Sequence, residues 1–514
     1  MKKIKKNNLE QRLWKTAIAL RGGVETVEYK HIVLTLLFLK FISDDFSERK
    51  QELIKENKKE YIDRVEFYYM KNKFYIPKKC HWDYIVKIAK QSNLASIVDS
   101  ALNIIEKKNP LLKGALHSNL FARLDLEHGK LASLIDVINN NIQISENEDK
   151  DFFGYIYEFF LRKFAIHEGQ NKGEFYTPKS VVKLICNLIQ PFKGKIYDPC
   201  CGSGGMFVET QKFLEKYNVT KNISRYGQEE KTNIFKLSKM NMAIRGISVN
   251  FGELARSTFS NDQHKNLKAD FIMANPPFNL KDWRSRNELI EDQRWQEYNV
   301  PPISNANYAW ILNILSKLNS NGISGLILSS GALSSGAEEY QIRKKLIEND
   351  LIEAIFTLPR NMFYNTDLSA NLWVLNRNKK VREIFVDGKK IKQKSTERNI
   401  LFADLRRLGS LYEKKYIEFT DKDLEKIKNL FFRWRTKKNY FDLPEFCKSV
   451  SFEELKKSNF SLVPSEYIEF KQQDLDLDFK KLLLESKKKL TSVMKDQEKN
   501  ISNLKKILKD ENLF

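Results

Sequence analysis

Long apolar runs are missing from this chain. No stretch approaches the ~20 consecutive apolar residues of a membrane-spanning helix. The opening MKKIKKNNLEQRLWK carries a basic patch with no apolar segment or small-residue cleavage site behind it. The expectation is therefore a cytoplasmic protein without a membrane anchor. Cysteine is also scarce. Cys80, Cys186, Cys200, Cys201 and Cys447 form an odd set without C-x-x-C spacing, so neither a disulfide framework nor a zinc site is expected. The six histidines are scattered with no H-E-x-x-H pair, and no structural metal is expected. Neither G-x-G-x-x-G nor G-x-x-x-x-G-K-[ST] occurs, which argues against dinucleotide or ATP use.

Negative charge is in the minority. Lys and Arg number 88 against 66 Asp and Glu, a net +22 with most of 514 residues to spread it over. Such an excess points to a polyanion, either nucleic acid or an anionic membrane surface, or else to lysines that only solubilise the surface. What the chain does have is length for two or three domains and a hydrophobic content of 42% to fill their cores.

Three textures follow one another. Residues 1–150 read as helices, from the apolar run HIVLTLLFLKFISDDFSERKQELIKE to LASLIDVINNNI at 131–142, with the polar SENEDKD at 145–151 as a boundary. Residues 151–475 alternate strand and helix after an opening helix, DFFGYIYEFFLRKFA. Strands are expected at 195–199, 225–229, 270–275, 325–330, 352–359 and 371–377, giving an α/β, Rossmann-like doubly wound and largely parallel sheet. Past 380 come a basic loop, GKKIKQKSTERN, and a helix, KDLEKIKNLFFRWRTK. Residues 476–514 form a last amphipathic helix. Its Leu483, Leu490, Met494, Ile501, Leu504 and Leu508 fall on a heptad seam interrupted by Lys487 and Gln497, which suits either a solvated face or a partner helix.

Two short segments carry the chemistry. Residues 198–207, DPCCGSGGMF, close a strand with an acid and open a helix through a glycine-rich turn. Glycines let backbone N–H groups approach a ligand that a Cβ would exclude, at the strand ends where such sheets bind cofactors. Glu229 ends the next strand, 31 positions after Asp198, where a carboxylate can accept both hydroxyls of a ribose; Glu230 beside it is an alternative. Upstream, Glu174-Phe175-Tyr176-Thr177-Pro178 precedes a helix that Ser180 can cap. That helix N-terminus and the Thr177 hydroxyl suit a carboxylate ligand.

Residues 270–279, DFIMANPPFN, end a strand in Asn275-Pro276-Pro277-Phe278. Prolines stop the strand from pairing further and leave carbonyls aimed and unpaired. An amino group on a purine ring is a poor nucleophile because its lone pair is delocalised. If the Asn275 oxygen and the Pro276 carbonyl accept its two N–H bonds, the nitrogen is drawn toward tetrahedral geometry and its lone pair is freed to attack a sulfonium methyl. Phe278 offers a face on which a flipped base can stack. Pro199-Cys200 is also the dipeptide by which carbon-methylating cytosine enzymes attack, but Cys200 sits in the glycine-rich turn and reads as a small buried residue.

In these segments the chain resembles the amino-methylating DNA methyltransferases, and specifically the methylation (M) subunit of type I restriction–modification systems. LLFLKFISDDF resembles the family's N-terminal helical domain, and GEFYTP, DPCCGSGGMF, YGQE, ADFIMANPPFN, YAWILNILSKL and NGISGLILSSGALSS its successive catalytic motifs. RKKLIENDLIEAIFTLPRNMFYNTDLSANLWVLNR is also typical. The resemblance implies that Glu174, Phe175, Tyr176, Thr177, Pro178 and Lys179, with Ser203, Gly204, Gly205 and Glu229, bind S-adenosylmethionine, while Asp198 and Gly202 shape its pocket. It implies that Asn275, Pro276 and Phe278 hold an adenine, with Pro277 completing the loop. Where many relatives carry an Asp-Thr-Leu-like turn, this chain has Gly252-Glu253-Leu254, so no residue is assigned to the cofactor's adenine. The resemblance further implies double-stranded DNA as substrate, a separate specificity (S) subunit flanked by two M subunits, and a restriction (R) subunit. The final helix is then expected against the S subunit. The chain has no helicase motifs, nuclease cluster or two-part recognition region, in keeping with that division of labour. The rival readings are a solitary adenine methyltransferase, a protein-glutamine methyltransferase, whose substrate is likewise a planar amide nitrogen, and a non-catalytic subunit that keeps the fold.

Overall fold

The computed structural model describes residues 2–117, 119–124, 127–142, 152–168, 176–219, 222–364, 366–413, 415–470 and 479–510. The expected boundary at 145–151 and the candidate residues Glu174 and Phe175 lie outside these.

Among the described residues, everything before 142 is helix, turn or loop. The longest helix of this region is Thr26–Lys55, in which every residue from Tyr29 to Lys40 is buried. A helix apolar all round belongs in an interior. Here the core is made with Trp82, Leu102 and Leu134, with Phe160 and Phe164 of the helix Phe152–Glu168, and with Leu237 and Met240 of the helix Thr232–Ile244. The helical layer is therefore fastened directly to the sheet-bearing part, and residues 1–468 form one compact unit.

That part is built on eight strands: β1 (Gly194–Asp198), β2 (Ile223–Gly227), β3 (Ala269–Ala274), β4 (Leu318–Ser329), β5 (Ile352–Thr357), β6 (Ala370–Asn376), β9 (Asn399–Asp404) and β12 (Cys447–Ser451). Two small hairpins complete the strand set, β7 (Arg382–Val386) with β8 (Lys389–Gln393), and β10 (Ser410–Tyr412) with β11 (Tyr416–Glu418). The sheet order is β12-β9-β5-β6-β4-β3-β1-β2. Pairing is parallel for β1–β2, β1–β3, β3–β4 and β5–β9, while β6 runs antiparallel between β4 and β5, and β12 antiparallel along β9. The sheet is thus mixed and mostly parallel. β1 and β3 run parallel, but the order in which strands are added switches side between them (β2 lies beyond β1, β4 beyond β3), the crevice at which doubly wound sheets take ligands.

Both faces are covered. The helices Lys179–Ile189, Gly205–Lys216 and Asp421–Thr436 bury Ile185, Phe207 and Phe431 against one face. The helices Asn307–Lys317 and Ala337–Glu348 bury Ile311 and Leu346 against the other. Packing on the first face is close: a Cβ added at Gly325 of β4 would lie 2.5 Å from Ile185 Cγ2.

Three sequence expectations need correction. The basic stretch GKKIKQKSTERN is not only loop, because β8 occupies Lys389–Gln393 and pairs with β7 in a hairpin. Strands β9 and β12 were not foreseen; β12 is short and polar, and it gains its place by pairing along an apolar neighbour. Ser180 does not cap its helix, which starts at Lys179 with Pro178 at the N-cap in an extended conformation, so Ser180 is buried in the first turn. Residues 469–514 form a second unit, whose described element is the helix Phe479–Asp510. Its Leu483, Leu490, Met494, Ile501 and Leu504 are exposed.

Candidate active site

β1 ends in Asp198, whose Oδ1 accepts the Cys200 N–H at 3.1 Å. The chain then turns through Gly202 and Gly204, both at positive φ, and Gly204 becomes the N-cap of the helix Gly205–Lys216. A side chain at Gly204 would be excluded twice over, by φ +81 and by Met242 Cε, 2.8 Å from where its Cβ would lie. Next to Gly202 and Gly205 the space is open. β2 stops at Gly227, two residues short of Glu229. Glu229 nevertheless reaches the turn: its Oε2 accepts the Gly202 N–H at 3.0 Å and its Oε1 the Lys231 N–H at 2.9 Å. Glu230 is exposed, so Glu229 is the carboxylate held at the turn.

Two acids in a small dry space affect each other. Burial, with Glu229 as a second negative charge, pushes the Asp198 carboxyl up to about 7. Burial also raises Glu229, against the N–H groups of Lys231 and Gly202 that favour its ionised form. Burial and the Asp198 charge push the Cys200 thiol far up, so it stays protonated and offers no nucleophilic thiolate.

Asn275 follows β3 directly and is 8% exposed. Its Nδ2 donates to Thr177 Oγ1 at 2.9 Å, while its Oδ1 is buried with no hydrogen-bond partner among the described residues. Thr177, read from sequence as a carboxylate ligand, here holds the amide of the N-P-P loop. Pro277 lines the same cavity as Asn275. Phe278 is 8% exposed and packs edge-to-face on Phe363 at 5.7 Å, so it is a core ring rather than an open platform. Of the remaining upstream residues, Tyr176 lines the cavity and stacks on Tyr364 at 6.0 Å. Lys179 turns away, with Nζ 3.0 Å from Glu158 Oε1.

The cavity measures about 280 Å³ and brings together Gly202, Ser203, Glu229, Asn275 and Pro277. Gly204, Gly205, Asp198 and Pro276 shape its surroundings without lining it. Part of the lining is aromatic, with Trp283 and Trp310 at ring separations of 4.6 and 4.3 Å from Phe259. Lys30 and Glu168 also line it. Sequence reading missed these five. They come from segments far from either motif, and only the scarcity of tryptophan, seven in 514 residues, could have drawn attention to two of them.

The N-6 DNA Methylase family matches residues 148–476, and the HsdM N-terminal domain matches residues 9–140. The chain belongs to the N-6 DNA methylase family. The type I restriction enzyme HindI methylase subunit of Haemophilus influenzae is 38% identical over 418 residues, covering 79% of this chain and 89% of that protein. The type I restriction enzyme MjaIX methylase subunit of Methanocaldococcus jannaschii is 32% identical over 524 residues, covering 97% and 90%. This N-6 DNA methylase is thus a type I methylase subunit, of the S-adenosylmethionine-dependent, adenine-specific DNA methyltransferase class. In fold it is similar to the crystal structure of a type I restriction–modification methyltransferase subunit from Streptococcus thermophilus, with a TM-score of 0.74, 22% identity, and coverage of 90% of this chain and 99% of that one. Among the described residues no helix is long and apolar enough to cross a membrane.

Proposed function

We propose that the cavity beside the glycine-rich turn binds S-adenosylmethionine and that Asn275, Pro276 and Pro277 present an adenine amino group to it, the base being flipped out of duplex DNA. The observation that carries this reading is the Asn275 side chain, with one end tied to Thr177 and a buried oxygen left to accept a hydrogen bond. A buried acceptor without a donor costs about 1–3 kcal/mol, so a donor supplied by the substrate is favoured there.

The residues present fit the cofactor. Open space beside Gly202 and Gly205 admits a ligand to the turn, the Glu229 carboxylate can accept from a ribose, and the aromatic lining suits a purine. Asp198 and Glu229 give the pocket a negative potential suited to a sulfonium cation. When bound, S-adenosylmethionine supplies an electrophilic methyl group. The chain's own contribution is positional: the Asn275 oxygen and the Pro276 carbonyl accept the two N–H bonds of the base, and Thr177 keeps the Asn275 amide from turning. Phe278 and Phe363 back this loop as a rigid pair.

Specificity is assigned to a separate S subunit flanked by two copies of this chain, with an R subunit in the complete cytoplasmic complex. The word subunit in the relatives' names supports that assignment. The net +22 supplies phosphate contacts, which position DNA without reading it. The exposed leucines of the helix Phe479–Asp510 supply the docking face for the S subunit.

The test is methyl transfer from labelled S-adenosylmethionine to DNA carrying the cognate site, by this chain alone and with its S subunit. Activity as methyladenine only with S is expected, and Asn275→Ala should abolish it while cofactor binding persists. Sequence-specific transfer by the chain alone would refute the division of labour.

A further inference from the structure

Glu158 belongs to the helix Phe152–Glu168, and its side chain is buried. Three cations meet its carboxylate. Lys179 Nζ lies 3.0 Å from Oε1, while Lys212 Nζ and Arg245 Nη2 lie 3.4 and 3.5 Å from Oε2. Burial works against the charge, but the three cations hold the carboxyl below its ordinary value.

Two of these cations lead to the two halves of the candidate active site. Arg245 Nη1 donates to the side-chain oxygen of Asn241, and Asn241 Nδ2 donates to the Ser203 carbonyl at 2.7 Å. Ser203 is part of the glycine-rich turn and lines the cavity. Arg245 Nη2 also donates to the Gly154 carbonyl, one turn before Glu158 on the same helix. Lys179 opens the helix Lys179–Ile189, two residues after Thr177, whose hydroxyl oxygen accepts from Asn275 at 2.9 Å. A lysine in a first helical turn opposes the helix dipole, so an acid beside it is needed to hold it there. The third cation, Lys212, leads to neither half. It lies about two turns along the helix Gly205–Lys216 and is also paired with Glu209 at 3.2 Å.

We propose that Glu158 is a positioning residue for methyl transfer, holding the Thr177–Asn275 contact through Lys179 and the glycine-rich turn through Arg245 and Asn241. This rests on the reading that the cavity takes S-adenosylmethionine and that Asn275 holds the base. A carboxylate that does not line the cavity thereby sets the spacing between the segment that orients Asn275 and the turn that meets the cofactor. Spacing of that kind governs rate, since a misplacement of about 1 Å can lower turnover about 100-fold.

Two matched variants test it. Lys179→Met and Lys212→Met each take one cation from the same carboxylate and leave it two others. Methyl transfer is measured in complex with the S subunit on cognate DNA, and S-adenosylhomocysteine affinity by calorimetry of the full chain. Lys179→Met is expected to lower kcat about 10–100-fold with affinity changed less than about twofold, and Lys179→Arg to restore turnover. Lys212→Met should leave both quantities within about twofold of wild type. Asn241→Leu, which removes the donor to the Ser203 carbonyl, should weaken affinity about 10-fold. Glu158→Gln keeps the shape, removes the charge and should show both losses. Equal falls in kcat for the two lysine variants, or a wild-type kcat for Lys179→Met or Glu158→Gln, would overturn the proposal. A selective loss of affinity in Lys179→Met would overturn it too, by making that lysine a cofactor ligand, and unchanged affinity in Asn241→Leu would remove the arm to the turn. Asn275→Ala is run alongside. Transfer retained there would refute the reading of the site itself, whereas transfer lost there with Lys179→Met unaffected would refute only the role of Glu158.

Discussion

Asp198→Asn isolates the electrostatic strain of the ligand-free site. The substitution keeps the shape and the acceptor for the Cys200 N–H, and removes only the charge. In the folded protein the carboxyl is raised from 3.8 to about 7 by burial and by Glu229. A native group that holds its proton more tightly than the unfolded chain does makes stability fall as pH rises between those two values. At about 1.4 kcal/mol per pH unit the whole penalty is on the order of 4 kcal/mol, of which about 3 kcal/mol falls between pH 5 and pH 8. Thermal unfolding of the ligand-free chain at both pH values reads it out. Wild type should lose several degrees more than the variant across this window, because every other titrating group is common to both. The same charge should serve binding: a sulfonium cation favours ionised Asp198, so wild-type affinity for S-adenosylmethionine should rise through about pH 7. S-adenosylhomocysteine, which has no sulfonium, should show a flatter profile, and Asn at this position should erase the difference. Parallel pH profiles for variant and wild type, in both stability and binding, would refute the reasoning.

Thr177→Val removes the hydroxyl that holds Asn275 and should lower kcat about 10–100-fold with cofactor affinity unchanged, while Thr177→Ser restores activity. Loss of cofactor affinity with kcat intact would return Thr177 to the ligand role that its sequence position suggests. On the terminal helix, Leu490→Asp with Leu504→Asp should weaken association with the S subunit at least 100-fold in a surface-binding assay, since burying each leucine is worth about 1.5–3 kcal/mol. Cofactor binding should be untouched, and unchanged S-subunit affinity would remove this helix from the interface. Raising salt from 50 to 200 mM should weaken DNA binding by orders of magnitude and cofactor binding by less than about threefold; a parallel decline would mean that surface charge governs both.

What could be read in the sequence were features that are local along the chain. β1, β3 and β4 announce themselves as apolar runs ending at glycine, proline or serine, and the two motifs sit next to each other in space because β1 and β3 pair. Antiparallel insertion of β6 between β4 and β5 left no mark, since an apolar strand reads the same in either direction. β8 was hidden by its lysines, which belong to an exposed hairpin rather than to a buried ladder. At the site, Asn275 and Glu229 were legible because chemistry restricts the residue types at the ends of strands. Thr177 was read as a carboxylate ligand; that its hydroxyl oxygen also accepts a hydrogen bond from Asn275, 98 positions away, has no local mark in the sequence. Lys30, Glu168 and Phe259 have no signature at all, since a wall residue is defined by what it faces and not by its neighbours in sequence.

The chain has two opposite electrostatic tasks, and distance is what keeps them apart. A net +22 acts on a polyanion across the surface, at ranges where physiological salt screens beyond about 8 Å. The cavity acts on a cation over a few ångströms, where exclusion of water magnifies each charge. Exposed lysines can therefore crowd the exterior without reversing the sign of the pocket, provided the acids at the turn are buried. Burial has a consequence of its own, for without a cation Asp198 and Glu229 repel each other and Asp198 keeps its proton near neutral pH. A ligand bearing positive charge relieves that repulsion, and one that has lost its charge on giving up a methyl group does not. On the proposed reading of this cavity as the cofactor site, the strain in the ligand-free turn favours the charged cofactor over its neutral product.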